Sequence, residues 1–285
     1  MMIKTVLGAL TAAVALAALT AGCGGATADN PRPAAQPAGA AAEQPPPANK
    51  PTVVLVHGAF ADSSSWNGVI NDLEGDGYRV VSAANPLRGL HTDAAYVRSV
   101  LDSVSGPVVL AGHSYGGSVM SEAADGHPNV KALVYIASFL LDQGESTGQL
   151  AAKFPGAQLG TALDTVPFPL AGGGTGNDLY IKQEEFQRVF AADVPEDVAS
   201  LMAATQRPIT SAALEEPAEK AAWKTIPSWN MVTTQDLAIP ADSMRFMGER
   251  AGARNVEIDA SHAVTVSQPG AVANLIDEAA RATAS

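Results

Sequence analysis

The chain has 285 residues, 47% of them hydrophobic and 16% charged, a balance that permits one sizeable folded domain and excludes a disordered or fibrous chain. Its formal net charge of −12 and isoelectric point near 4.7 argue against nucleic acid or an anionic membrane as a partner, because both select basic surfaces. The single cysteine, Cys23, excludes an internal disulfide.

Lys4 and an uncharged Ala/Leu/Val run through Leu19 read as an export signal over residues 1–22, too short to span a bilayer. Cys23, after Ala21-Gly22, sits as in a bacterial lipobox, which implies a lipid-anchored mature N-terminus on the outer face of the membrane. Thr20 departs from that box, and Ala26-Thr27-Ala28 offers a plain cleavage site that would release the protein instead. Residues 23–50, with Pro31, Pro33, Pro37 and Pro45-Pro46-Pro47 among alanines, lack the bulk to pack and read as a spacer.

Residues 51–285 read as one α/β domain. Six apolar runs, beginning at Thr52, Tyr78, Val108, Lys131, Trp229 and Asn255, predict buried strands of a mostly parallel sheet. Helical spacing appears between them, in Trp66, Val69, Ile70 and Leu73, in Val97, Val100, Leu101 and Val104, and in Val272, Leu275 and Ile276 after Pro269. The interval from Ser138 to Trp229 far exceeds what a parallel crossover needs and predicts a mainly helical cap over about 143–226. Within it, Pro167, Pro169 and Gly172-Gly173-Gly174 predict a flexible lid loop. A helix carrying Leu179, Phe186, Val189 and Phe190 follows, then one opened by Pro195 with Val198, Leu201 and Met202.

The third strand runs into Gly112-His113-Ser114-Tyr115-Gly116-Gly117 and then a small-residue helix. A serine on such a strand-to-helix bend projects its Oγ above the sheet, and the glycines allow the backbones to approach that closely. Ser114 is therefore the candidate nucleophile. A serine hydroxyl needs a histidine base supported by a carboxylate, sought downstream in the order Ser, acid, His. Of the two histidines that follow, His127 in Gly-His-Pro-Asn reads as a turn residue, and His262 after the last strand reads as the base. Asp236, beyond the strand starting at Trp229, is the candidate acid; Asp142 is its rival, and Asp259 reads as strand surface. The backbone N–H groups of Ala59 and Tyr115 are the candidate oxyanion donors. His57, His91 and His113 read as structural. Phe60, Trp66, Phe139, Leu140, Phe186 and Phe190 are candidate pocket walls. No residue group has metal-ligand spacing and no dinucleotide fingerprint occurs, so neither metal nor cofactor is expected.

These motifs resemble the α/β-hydrolase family across essentially all of 51–285. His57-Gly58-Ala59-Phe60 with Trp66, GHSYGG, TTQDLAIP and SHAV resemble its cofactor-free branch of plant methylesterases, hydroxynitrile lyases and secreted bacterial hydrolases. In that branch the lyases carry threonine after the first histidine and lysine after the catalytic one. Here Gly58 and Ala263 stand at those places, so the resemblance implies hydrolysis of a small or medium apolar carboxylic ester through an acyl-enzyme. Amide or lactone hydrolysis, lyase chemistry on the same residues, and a non-catalytic binder of a hydrophobic ligand are the alternatives.

Overall fold

The computed structural model describes residues 50–284; the segments up to residue 49 read as an export signal and a spacer, with Cys23, lie outside the described residues. Strand β1 (Thr52–Val56) is buried along its whole length, as its run of valines and leucine requires. A short 3-10 turn, Ser63–Trp66, leads into α1 (Asn67–Gly75), which turns Val69 and Leu73 inward. Then come β2 (Val80–Ala83), α2 (Leu90–Asp102), β3 (Val108–His113), α3 (Tyr115–Ala123) and β4 (Val130–Ile136).

The cap occupies the interval before the chain returns to the sheet. It holds α4 (Thr147–Ala151), the hairpin β5 (Leu163–Pro169) and β6 (Thr175–Ile181), α5 (Gln183–Phe190), α6 (Glu196–Thr205), the short β7 (Ile209–Thr210) and α7 (Ser211–Glu215). Strands β5, β6 and β7 form a three-stranded antiparallel sheet. The proline- and glycine-rich segment is thus a hairpin and not a loop, and Leu179 belongs to β6 and not to the following helix. The edge position explains this: β5 pairs only with β6, so Pro167 and Pro169 need no second ladder, and Gly173 and Gly174 make the turn at φ +88° and +90°.

The chain then completes the main sheet with β8 (Ser228–Thr233), α8 (Ala241–Arg250), β9 (Arg254–Ile258), α9 (Val264–Ser267) and α10 (Pro269–Ala282). The six strands run in the order β2-β1-β3-β4-β8-β9, every neighbouring pair parallel. The order reverses direction between β1 and β3, and the crevice beyond the carboxyl ends of those strands is where an open α/β sheet binds ligands.

Candidate active site

The bend at the end of β3 begins with close packing. A Cβ on Gly116 would lie 2.3 Å from the Val56 carbonyl oxygen, and one on Gly112 would lie 2.7 Å from the Gly116 carbonyl oxygen. Only glycines let α3 start directly against β1 and β3. Ser114 takes φ +54° and ψ −128°, a left-handed conformation that costs a non-glycine residue on the order of 1–3 kcal/mol. Neighbours hold it there: the Ser114 N–H donates to the Ile136 carbonyl at 3.2 Å, and Ser138 Oγ donates to the Ser114 carbonyl at 2.6 Å. Ser138, the second residue past β4, was not singled out in the sequence; its only sequence cue is its place after the strand.

His262 follows β9, and Asp236 follows β8. His262 Nδ1–H donates to Asp236 Oδ2 at 2.7 Å, with both side chains at most 1% exposed. Asp236 is held as an acceptor on all sides. Thr233 Oγ donates to Oδ2 at 2.8 Å, while the Ala238 and Ile239 N–H groups both donate to Oδ1 at 2.8 Å. The rival Asp142 instead forms an ion pair with Lys224, which holds its carboxyl below the usual range against the effect of burial.

His113 ties the base to the bend. Its Nε2–H donates to the His262 carbonyl at 2.8 Å, and the two imidazole rings lie 4.8 Å apart. Burial, with the nearby His262, pushes the His113 pKa down to about 3, so it stays neutral. His57 is likewise buried, which lowers its pKa to about 4. Its Nδ1–H donates to the Gly58 carbonyl at 2.9 Å, and Asn85 donates to the His57 carbonyl at 3.0 Å, bracing the turn after β1.

That turn faces Ser114: a Cβ on Gly58 would meet Ser114 Cβ at 2.7 Å and Oγ at 3.3 Å. Among the described residues, the backbone N–H groups of Ala59 and Tyr115 have no acceptor, whereas the Phe60 N–H donates to the Arg207 carbonyl of the cap at 3.0 Å. The Tyr115 side chain points away, donating to buried Asp93 at 2.9 Å.

Of the candidate walls, Phe190 sets its ring 4.8 Å from that of His262, and Phe60 and Phe186 pack on Phe190 at 6.3 and 5.0 Å. Trp66 is wholly buried and lies edge-on to His113 at 6.4 Å, behind the bend. Phe139 and Leu140 are buried just past β4. His127 sits between the Asn129 N–H and Asp102. His91 gathers Glu122, Glu216 and Glu219, and its ligand atoms with those of Glu122 and Glu219 lie within 4.8 Å of one another. Sequence spacing does not reveal that cluster, because α2, α3 and the segment after α7 each supply part of it.

A family model described as "Alpha/beta hydrolase family" matches residues 53–275. The chain is 29% identical over 254 residues to the alpha/beta hydrolase nvfD of Aspergillus novofumigatus, covering 81% of this chain and 97% of that protein. It is also 29% identical over 259 residues to a pyrethroid hydrolase of Sphingobium wenxiniae, covering 81% of this chain and 88% of the other. The crystal structure of polyneuridine aldehyde esterase superposes with a TM-score of 0.71 at 19% identity, over 80% of this chain and 98% of that one.

Proposed function

The chain belongs to the alpha/beta hydrolase family, and from that premise we propose that it is a serine esterase acting on small or medium apolar carboxylic esters. The observation that carries the reading is the buried Asp236–His262 pair, anchored by His113 to the bend that presents Ser114. Ser114 Oγ attacks the ester carbonyl as its proton passes to His262 Nε2, which the Nδ1–H bond to Asp236 leaves as the accepting nitrogen. The carbonyl oxygen takes up the negative charge against the Ala59 and Tyr115 N–H groups, which have no other acceptor. The tetrahedral adduct collapses as the carbon–alkoxide bond breaks and His262 returns the proton to the leaving oxygen. Water then repeats the sequence on the acyl-enzyme, releasing the acid and restoring Ser114.

The names of relatives support ester cleavage: one is a pyrethroid hydrolase, another a carbendazim hydrolyzing esterase, and a third a methylesterase. Lyase chemistry is disfavoured by Ala263, which offers no cation to a departing cyanide, and by Gly58, where a threonine has no room. Export through residues 1–22, with a lipid on Cys23 or release after Ala28, belongs to the same proposal, and mass spectrometry of the mature N-terminus tests it. The catalytic reading is tested with p-nitrophenyl esters and a fluorophosphonate probe. Wild type is expected to turn over and label, and Ser114→Ala to do neither while remaining folded; serine-independent turnover refutes it.

A further inference from the structure

Outside the Ser114 bend lies a cavity of about 210 Å³ between the segment after β1 and helix α6. Its apolar walls are Phe60, Ala61, Val198, Leu201, Met202 and Val266. Two of them stand unusually open to solvent for large apolar side chains: Leu201 is 68% exposed and Val198 36%.

The polar side chains around it are already engaged. Asp62 accepts from the Ser64 N–H and Oγ at 2.8 and 2.6 Å, and Ser65 Oγ donates to the Asp62 carbonyl. Thr205 Oγ donates to the Leu201 carbonyl, and the Gln206 side chain exchanges two 2.8 Å bonds with the backbone of Ile181. What remains for a visitor is hydrocarbon surface, and the one formal charge on the wall, Asp62, is negative and repels an anionic guest.

The cavity adjoins the candidate active site at two points. Phe60 follows Ala59 directly, and its ring packs edge-on against Phe190, which in turn covers His262. Val266 lies on α9, the helix that begins two residues past His262. Phe60 also holds φ +60°, with its N–H on the Arg207 carbonyl just past α6. The residue that faces the cavity and the turn that offers the Ala59 N–H are thus fixed by the cap segment that directly follows the helix walling the cavity.

We propose that this cavity is the subsite for the uncharged hydrocarbon arm of the ester, and that Phe60 is the partition whose bulk sets how that arm passes to Ser114. The proposal rests on the esterase reading and goes beyond it by naming a ligand class and the residues that select it. Each methylene the subsite buries multiplies affinity by about fourfold.

The test compares acetophenone with hexyl phenyl ketone, which differ only in their hydrocarbon arm, by calorimetry on the full chain. Leu201→Asp, at an exposed position, is expected to weaken hexyl phenyl ketone at least tenfold more than acetophenone; equal changes for the two ketones overturn the subsite. Phe60→Ala is expected to raise kcat/KM for p-nitrophenyl hexanoate relative to acetate at least fivefold, and an unmoved or lowered ratio overturns the partition. Ketone binding needs no turnover. Failure of the esterase reading therefore shows separately, as ester cleavage that survives Ser114→Ala.

Discussion

Replacing Asp236 by asparagine changes one atom and, through the geometry around it, the proton on His262. Oδ1 accepts two backbone N–H groups at 2.8 Å, and Oδ2 accepts His262 Nδ1–H at 2.7 Å. An amide has one oxygen to offer, and turning its NH2 toward Ala238 and Ile239 would leave two buried backbone N–H donors unsatisfied, at about 1–3 kcal/mol each. The oxygen therefore stays at the Oδ1 position and the NH2 faces His262. There it donates to Nδ1 and locks the imidazole with its proton on Nε2, the nitrogen that receives the Ser114 proton in the proposed mechanism. Restoring the productive tautomer means breaking that bond and opposing two donors, about 3–5 kcal/mol, which corresponds to kcat reduced by roughly 10²–10⁴. Stability falls only modestly, because every donor around the amide keeps a partner after rotation of the Thr233 hydroxyl. The assay is kcat and KM on p-nitrophenyl butyrate beside thermal melts, with Asp142→Asn, at the surface pair with Lys224, as the control. An Asp236→Asn kcat within tenfold of wild type, in a folded protein, refutes the reasoning.

Gly58→Thr puts a Cβ 2.7 Å from that of Ser114, and is expected to lower ester kcat/KM at least a hundredfold without creating cyanohydrin cleavage; benzaldehyde release from mandelonitrile refutes it. His91 is a case of opposing effects: burial lowers its pKa, but Glu122, Glu216 and Glu219 outweigh it and raise it. The protonated form therefore stabilises the fold fully below about pH 6.5, and that contribution fades as pH rises through the raised pKa. The melting-temperature deficit of His91→Gln is accordingly expected at pH 5.5 and absent at pH 9; an equal deficit at both contradicts the linkage. His57 and His113, lowered to about 4 and 3 by burial, have the opposite sign. The unfolded chain binds their protons first, so stability falls as pH drops below 6.5, by roughly 3 kcal/mol for the pair between pH 6.5 and 5. Urea midpoints at those two pH values measure it, with His113→Asn expected to halve the loss.

The inner sheet was legible because its strands are buried on both faces and so are written as unbroken apolar runs, from Val53 through Val56 and from Val108 through Ala111. The edge strands β2 and β9, expected to be buried, are instead largely half-buried and exposed, because each pairs on one side only. Ser114 was legible for a related reason, since the glycines that flank it answer to contacts no other residue tolerates. The cap was legible as an interval and in its helices α5 and α6, but not in its hairpin. Its hairpin carries two prolines on an edge strand, where a missing N–H costs no ladder bond, and composition there points to a loop. The groups that position the site were invisible for a different reason. Ser138, Thr233 and Ser261 act through hydrogen bonds set by tertiary packing, and a lone serine or threonine carries no periodicity.

Those bonds bear on how the cap works, because a lid free to swing would leave the loops beneath it self-sufficient, and these loops are not. The turn after β1 gives the Phe60 N–H to the cap at Arg207, and the segment after β2 accepts from Thr210 at Leu87 and Arg88. The loop after β8 accepts from Gln158 at Leu237. The loop after β9 is held on both sides of His262: Ser261 Oγ donates to the Asp193 carboxylate, and the Ala263 N–H donates to the Phe190 carbonyl at 2.9 Å. Four loops at the carboxyl edge of the sheet, including those bearing Ala59, Asp236 and His262, are therefore completed by the cap. A cap substitution that frees the Phe190 carbonyl acts on the orientation of His262 before it acts on access, so its signature is a fall in kcat and not only a rise in KM.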